Sequence, residues 1–481
     1  MSQNLDETEA ILNKVSPSFC LAKWTSVTMH LESGLTHSCH HPTPHLVPLD
    51  ELKKNYRALH NSQFKLEQRK KMMEGKRPAE CDYCWRIEDL PTKQFSDRIF
   101  KSAEESSVSE LDRILKNPLD INFTPKYLEV SFSNKCNFKC SYCSANFSSS
   151  WQEEIKKNGN YSTYSGQLTN TILDEDTNPY IEAFWKWWPE LKTQLHTFRI
   201  TGGEPLLSPN TFKILESLLE APEKKLNISI NSNLGVPDVL TDKFIGLVNR
   251  IVSEKAVHSF NLHTSVEGFG ERAQYIRTGF NHDTFWKNIE KILAAPMNIQ
   301  IVIMSTFNAL SLTSYVDLLK KLLEINKKYR NADRLVPVFI DIAYLRYPDY
   351  QTAQVLGPEY KDEMEKIVNF IEEHQWQKTP NYEGFHDNQY YKSKRLLEWM
   401  TQGLPPAELD KQRARFYEFF SEHDRRRQMS FTQTFPELES FWQDCKKKYE
   451  QRNEVKSQTP GYFFKTGALN FLARALGRRH R

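Results

Sequence analysis

The stretch that decides the fold is KYLEVSFSNKCNFKCSYCSANF, residues 126–147. It opens with aromatic and β-branched residues that predict a strand at Tyr127–Phe132. The strand runs directly into a loop that carries Cys136, Cys140 and Cys143. Three thiolates can bind three irons of a 4Fe–4S cluster and leave the fourth iron open to another ligand. A structural zinc site needs four protein ligands, and this loop offers three.

The composition limits the class of protein. The chain has 481 residues, of which 39% are hydrophobic and 26% are charged. This is enough apolar surface for a large core, so a wholly disordered protein is excluded. Lys and Arg number 64 against 61 Asp and Glu, a net charge of +3, which gives no overall case for nucleic-acid binding.

The sequence also indicates a location. No apolar run reaches the ~18 residues needed to span a bilayer, and we expect no membrane span. The polar, acidic start MSQNLDETEA is neither a signal peptide nor a transit peptide. We therefore expect a cytoplasmic protein. In that reducing compartment the eight cysteines are more often metal ligands or redox pairs than disulfides.

The central part of the chain alternates between strands and helices. Five more strands are predicted, at Thr197–Ile200, Asn227–Asn231, Ser259–Ser265, Asn298–Met304 and Val338–Ala343. Amphipathic helical stretches follow most of them, at Asn210–Leu219, Asp238–Val252, Asp283–Ala294 and Leu312–Asn326. This alternation is typical of a parallel α/β sheet. Six strands favour a partial (β/α)6 TIM-like barrel over a closed barrel of eight.

The chain divides into five predicted regions. We expect a Cys-rich auxiliary module at 1–95, a connector at 96–125, the barrel at 126–345, a helical region at 346–450 and a basic amphipathic tail at 451–481. The helical region is predicted from its many charges and aromatics and its lack of strand patterns. The tail favours a docked or frayed terminal helix over an anchor for RNA, membrane or a partner.

The cysteine loop points to a family. Its spacing of three and then two residues, with Tyr142 directly before the last cysteine, resembles the radical S-adenosylmethionine (SAM) enzymes. The resemblance implies a 4Fe–4S cluster on Cys136, Cys140 and Cys143. In that family the open iron chelates the amino and carboxylate groups of SAM. It also implies that the barrel binds its ligands at the C-terminal mouth of the strands.

A second motif lies at the end of the next predicted strand. It is Gly202-Gly203-Glu204, followed by Pro205. Two glycines let the backbone approach a ligand closely, and a carboxylate can accept hydrogen bonds from an ammonium. The motif resembles the family's GGE sequence, which binds the methionyl amine of SAM.

Weaker matches follow in order along the chain. They are polar residues at or after the ends of later strands: Asn231, Ser265, Glu267, Arg272 and Arg277. A serine hydroxyl and a guanidinium suit the ribose and the methionine carboxylate of SAM. By the resemblance these residues, with Tyr142, belong to the cofactor site. The alternative is strand-end polar groups or surface ion pairs.

A second set of cysteines precedes the barrel at Cys20, Cys39, Cys81 and Cys84. Four thiolates can complete a 4Fe–4S cluster or a structural zinc site. The CxxCW ending resembles the auxiliary-cluster modules called twitch and SPASM, and this resemblance implies a second 4Fe–4S cluster. Those modules usually follow the barrel, whereas this set precedes it. Cys445 is most simply a buried apolar residue.

The resemblance implies a reaction. An electron from a donor such as a flavodoxin or ferredoxin would cleave SAM to a 5′-deoxyadenosyl radical, which abstracts a hydrogen from the substrate. The auxiliary module points to a peptide or protein substrate. RNA is the alternative, suggested by the basic tail and by Asp424-Arg425-Arg426-Arg427. A non-enzymatic alternative is a zinc-stabilised binding module that uses all seven clustered cysteines.

Overall fold

A computed structural model describes residues 4–163, 171–332, 334–379 and 383–458, with only the backbone for 455–458. The predicted tail at 451–481 therefore falls largely outside the described residues. Among the described residues the strands are β1 (Ser26–His30), β2 (Leu35–His37), β3 (His45–Leu46), β4 (Tyr127–Ser131), β5 (Lys139–Cys140), β6 (Thr197–Thr201), β7 (Glu223–Asn231), β8 (Val257–Thr264), β9 (Arg277–Thr278), β10 (Gln300–Phe307) and β11 (Val338–Tyr344).

The main sheet confirms the predicted α/β partial barrel. Its strand order is β11-β10-β8-β7-β6-β4-β1-β2-β3, and every pair from β11 to β1 is parallel. All six predicted strands are present within it. Alternate residues such as Leu128, Val130, Phe198 and Ile200 are fully buried and pack with the helices of the main core. Because neighbours in a strand point to opposite faces, the residues between them face the inside of the barrel.

Three strands of this sheet come from the N-terminal region. Residues 26–30 of β1 pair with residues 127–131 of β4, and the β2–β3 hairpin continues the sheet beyond it. Strand β1 is absent from the strands expected from the sequence, because its five residues follow directly on a four-residue helix and show little periodicity. The N-terminal region thus contributes directly to the barrel sheet, and a separate auxiliary module at 1–95 stays a prediction.

Helices cover the outer face of the sheet and form the C-terminal region. Among the described residues they are α1 (Leu5–Val15), α2 (Ala22–Thr25), α3 (Leu49–Lys54), α4 (Ala58–Asn61), α5 (Gln63–Met73), α6 (Asp82–Glu88), α7 (Asp97–Ser102), α8 (Glu105–Val108), α9 (Leu111–Lys116), α10 (Ser149–Asn158), α11 (Pro179–Gln194), α12 (Pro209–Glu220), α13 (Asp238–Ser253), α14 (Gly270–Ile276), α15 (His282–Ala294), α16 (Tyr315–Tyr329), α17 (Lys361–Glu373), α18 (Asp387–Gln402), α19 (Pro406–Arg427), α20 (Phe431–Thr434) and α21 (Glu439–Gln458).

The C-terminal region is helical, as the sequence predicts. Its long helices α19 and α21 pack through aromatic side chains, including Phe416 and Trp442. Helix α19 also touches the barrel, because the Tyr275 hydroxyl of α14 donates to Asp424 Oδ1 at 2.6 Å. None of the described helices combines the length and the apolar composition that a bilayer crossing requires. The cytoplasmic location stays a prediction.

Candidate active site

The cysteine loop is held by backbone contacts on both sides of Cys140. Strand β5 pairs antiparallel with β9, so Cys140 lies opposite Arg277. The Cys140 carbonyl accepts from the backbone N–H of Cys143 at 3.0 Å and from the indole N–H of Trp151 at 2.9 Å. Ser149 and Ser150 donate to the Cys136 carbonyl at 3.3 and 2.7 Å. The loop is therefore a fixed part of the structure.

The three thiols of the loop lie close enough to influence one another. Burial, together with the neighbouring Cys140 thiol, raises the pKa of Cys143 to about 12. Burial raises the pKa of Cys136 to about 11 and also raises that of Cys140. Clustered thiols kept protonated by burial become thiolates when a cationic group binds them. Their number and placement on one loop fit three irons of a cubane cluster.

A buried cation stands behind the thiols. Arg277 pairs with the fully buried carboxylate of Glu267 at 3.3 Å and donates to the Tyr142 hydroxyl at 3.2 Å. The charge of Arg277 lowers the pKa of Cys140, against the larger opposing effect of burial. The structure thus brings Tyr142, Glu267 and Arg277 together, and their expected role in binding the cofactor stays a prediction. They form a buried support for the loop.

The Gly202-Gly203-Glu204 turn lies directly on the start of the cysteine loop. Gly203 N–H donates to the Ser133 carbonyl at 3.0 Å, and Glu204 N–H donates to the Lys135 carbonyl at 2.7 Å. A Cβ on Gly203 would come within 2.4 Å of that same Lys135 oxygen. Gly202 has a φ of +120°, which L side chains rarely adopt. Both glycines are therefore needed for the two segments to touch.

The Glu204 side chain has a structural task. Its carboxylate is buried and accepts from Leu206 N–H at 3.0 Å, Ser232 Oγ at 2.8 Å and Asn233 N–H at 2.6 Å. Burial raises its pKa to about 7. The sequence resemblance assigns this carboxylate to the ammonium of SAM, whereas here its hydrogen bonds hold the end of β7. The Gly202 and Gly203 carbonyls accept no hydrogen bond from the described residues, so these backbone acceptors fit an ammonium instead.

The comparison with known families agrees with this geometry. Residues 130–319 match the family model described as the radical SAM superfamily. This segment is a radical SAM domain. It contains both the cysteine loop and the glycine turn, and members of the superfamily use a 4Fe–4S cluster with SAM.

Relatives of the radical SAM domain include two cyanobacterial proteins, each named GTP 3′,8-cyclase. The one from Trichodesmium erythraeum (strain IMS101) is 32% identical over 113 residues, 23% of this chain and 28% of the relative. The one from Picosynechococcus sp. (strain ATCC 27264 / PCC 7002 / PR-6) is 28% identical over 163 residues, 33% of this chain and 40% of the relative. The chain therefore spans less than half the length of these relatives.

Among solved structures, the fold has a distant likeness to SuiB of Streptococcus suis. SuiB bound to S-adenosylmethionine gives a TM-score of 0.32 at 13% identity, covering 73% of this chain and 69% of SuiB. SuiB bound to the precursor peptide SuiA gives the same TM-score of 0.32 at 12% identity, with the same coverage of 73% and 69%.

The other predicted residues of the radical SAM domain separate into two groups. Asn231 and Ser265 lie at the C-terminal ends of β7 and β8, at the barrel mouth. Asn231 faces inward and accepts from Arg199 Nε at 3.0 Å. Arg272 points elsewhere, because its guanidinium pairs with Glu437 of the C-terminal region. The structure does not bring Arg272 to the cysteine loop.

The four N-terminal cysteines meet although they come from three segments. Cys20, Cys39, Cys81 and Cys84 all line one small cavity. Burial raises the pKa of Cys39 and of Cys84 to about 12, and it raises the pKa of Cys20 and of Cys81 in the same direction. The cavity is also lined by Lys23, which pairs with Glu80, and Arg98, which pairs with Glu88 at 2.8 Å. Four thiols beside two cations suit a polyanionic thiolate site.

Within the described ranges, no three His, Cys, Asp or Glu side chains converge on the position of one metal ion. The ligands of an iron–sulfur cluster sit on separate irons and stand farther apart than the ligands of one zinc ion. Metal and sulfide analysis tests this assignment at both cysteine sites.

One residue that supports the loop is not apparent from the sequence. Arg427, at the end of α19, donates to the Lys139 carbonyl at 2.8 Å and pairs with Glu154 at 3.1 Å. Its guanidinium also lies 4.8 Å from the Trp151 ring centroid. It belongs to the run Asp424–Arg427 that suggested RNA binding. Two of the three arginines of that run are buried against the protein, so the run forms no exposed basic patch.

Proposed function

We propose that this chain is a radical SAM enzyme. Cys136, Cys140 and Cys143 would hold a 4Fe–4S cluster, and the Gly202–Gly203 backbone would hold the ammonium of SAM. The observation that carries the proposal is the direct contact between turn and loop, through Gly203 N–H to Ser133 and Glu204 N–H to Lys135. It sets free carbonyl acceptors beside three clustered thiols. When bound, the cluster and SAM supply a carbon radical that abstracts a hydrogen from the substrate.

The chain's own residues bind, orient and shield. Arg277 places a positive charge next to Cys140, and Glu267 pairs with that guanidinium. Asn233 presents its amide Nδ2 4.0 Å from Cys136 Sγ. Buried Phe138 and Trp151 exclude water from the back of the loop. Such a dry, charge-balanced setting stabilises thiolates and limits side reactions.

We propose a second, auxiliary 4Fe–4S cluster on Cys20, Cys39, Cys81 and Cys84. Their convergence on one cavity, beside the buried cations Lys23 and Arg98, supports it. The alternative is that the same thiols bind a zinc ion, and sulfide analysis separates the two. A twitch-like or SPASM-like role for this site rests on the sequence resemblance.

We further propose a peptide or protein substrate and a flavodoxin-like or ferredoxin-like electron donor. The resemblance of the N-terminal cysteine site to twitch and SPASM modules favours a peptide or protein as the substrate. One of the two observations that suggested an RNA substrate no longer supports it. Arg426 donates to the Gly159 carbonyl and Arg427 pairs with Glu154, so both contact the protein itself. The other observation, the basic tail, falls at 459–481, outside the described residues.

The test is anaerobic reconstitution with iron and sulfide, followed by a 5′-deoxyadenosine assay. The wild type should bind about eight irons, two cubanes of about four each, and form deoxyadenosine from SAM under reduction. Cys445→Ala is the matched control, because Cys445 is a buried cysteine at neither site. Zinc without sulfide, in a protein that does not cleave SAM, would overturn the proposal in favour of the binding module.

A further inference from the structure

The inside of the barrel carries a row of polar side chains that the proposed function does not use. They are Glu129 on β4, Arg199 on β6, Asn231 on β7, His263 on β8 and Asp341 on β11. The strand register places Glu129 beside Arg199 and Asn231 beside His263. Each is half-buried, whereas their neighbours in the strands are fully buried. The row therefore lines an accessible interior surface.

The hydrogen bonds of Arg199 within the described residues go to neutral groups, although Glu129 is its neighbour in the strand register. Its Nε donates to Asn231 Oδ1 at 3.0 Å, a second nitrogen lies 3.0 Å from the Met304 sulfur, and the Tyr127 phenol is adjacent. By contrast, Arg277 and Arg427, which border the cysteine loop, each pair with a buried carboxylate. An interior guanidinium is normally matched by an anion. Arg199 has fork-shaped donors suited to a carboxylate.

The neighbouring groups supply the opposite charge. Glu129 accepts from Thr201 Oγ1 at 3.2 Å and from the Tyr127 hydroxyl at 3.3 Å, both neutral donors. His263 keeps a buried Nδ1 with no hydrogen-bond partner among the described residues. Burial lowers the pKa of His263 to about 4, helped by the charge of Arg199, so the imidazole is neutral at pH 7. Asp341 is already paired with Lys392.

The row lies between the two cysteine sites. At one end Asn231 is followed in the chain by Ser232 and Asn233. The side-chain amide nitrogen of Asn233 lies 4.0 Å from Cys136 Sγ. At the other end the Tyr127 ring contacts the His40 ring edge-on, with centroids 6.1 Å apart, and His40 is next to Cys39. The row is therefore continuous along the chain with residues that adjoin both cysteine sites.

We propose that Arg199 and Glu129 bind the two charges of a zwitterionic substrate, a peptide segment that carries an acidic and a basic group. Arg199 takes the carboxylate, and Glu129 takes the ammonium or guanidinium. This deepens the proposed function and rests on it. A nucleoside triphosphate fits poorly, because its several negative charges would meet one unpaired guanidinium flanked by Glu129 and Asp341.

The experiment uses the reconstituted full chain, immobilised anaerobically, and a pool of random octapeptides with blocked termini. Peptides retained by the wild type should be enriched in sequences with both an acidic and a basic residue. Arg199→Met should lower the acidic enrichment about 10-fold or more, and Glu129→Gln the basic enrichment, because a charge-assisted hydrogen bond is worth about one to two powers of ten in affinity. Arg199→Lys should restore part of the acidic preference. Arg250→Met, which changes an exposed arginine, is the control.

The outcomes separate this inference from the proposed function. Retention without charge enrichment, or enrichment that neither variant changes, overturns the inference, as does displacement of the peptides by equimolar GTP. Displacement by equimolar free glutamate plus lysine supports the zwitterion but assigns it to single amino acids. Deoxyadenosine formation by the wild type without peptide is measured in parallel. Its absence would defeat the proposed function even where charge-selective retention stands, and its presence without selectivity would defeat only the inference.

Discussion

The two cysteine sites are built in opposite ways. The cysteine loop holds Cys136, Cys140 and Cys143 within one short segment, fixed by the two-residue ladder between β5 and β9. The N-terminal site gathers Cys20, Cys39 and the pair Cys81 and Cys84, at the start of α6, from three segments around one cavity. The first has three thiols and a glycine turn beside it, whereas the second has four thiols and no such turn in its described lining. Three ligands leave a coordination position for another molecule, and four complete the cluster.

The charge balance around the two sites is alike. The cysteine loop is bordered by two cations, Arg277 and Arg427, which pair with Glu267 and Glu154. The N-terminal cavity also has two, Lys23 and Arg98, each with its own carboxylate. The difference between the sites therefore lies in the number of thiols and in the glycine turn.

The largest effect is expected from reducing each site to two thiols. Cys140→Ala should abolish deoxyadenosine formation, by more than about 100-fold, because two remaining thiols do not hold the cluster that binds SAM. Cys81→Ala/Cys84→Ala likewise leaves two thiols at the N-terminal site and should lose about four irons, yet retain substrate-free SAM cleavage. Iron counting and the deoxyadenosine assay check both variants against Cys445→Ala. If the two variants lose the same activity, the sites do not have separate roles.

The sequence predicts the first site well and the second only in part. The cysteine spacing and the Gly202-Gly203-Glu204 turn are local patterns, so the residue order alone places both at adjacent strand ends. The support from Arg427 is not readable in the same way, because its contact with the Lys139 carbonyl joins distant parts of the chain. The role of the Glu204 carboxylate differs from the expected one for a related reason. Its partners Ser232 and Asn233 come from the next strand end.

The next effect concerns the buried ion pair behind the loop. Arg277→Met should lower the free energy of unfolding by about 3–5 kcal/mol, since it leaves the Glu267 carboxylate buried and uncompensated. Both side chains are nearly inaccessible, at 8% and 0% exposure. Urea unfolding of the protein without clusters gives the measurement. The double variant Arg277→Met/Glu267→Gln should recover much of the loss, and no recovery would show that the pair is not the cause.

At the N-terminal site the corresponding change should cost less. Lys23→Met removes the partner of Glu80, which is less deeply buried than Glu267, at 9% exposure. We expect a loss of about 1.5–3 kcal/mol, the value of a hydrogen bond between charged groups. Arg86→Met, in the helix that follows Glu80, is the control, because the ion pair of Arg86 with Asp82 is exposed and should contribute under about 1 kcal/mol. Urea unfolding gives the free energy of unfolding of both variants. Equal losses would show that the ion pair of Lys23 contributes no more than an exposed one.

The smallest expected effect tests the contact between the turn and the loop. Gly203→Ala places a Cβ 2.4 Å from the Lys135 carbonyl oxygen, and that backbone must shift. We expect a loss of about 1–3 kcal/mol in unfolding free energy, together with weaker SAM binding by equilibrium dialysis. Gly246→Ala is the control, and it should raise the free energy of unfolding instead of lowering it. A Cβ at Gly246 in α13 meets open space, and alanine stabilises a helix interior by about 0.5–1 kcal/mol relative to glycine. A Gly203→Ala protein that binds SAM as tightly as the wild type would mean that the turn does not hold the cofactor.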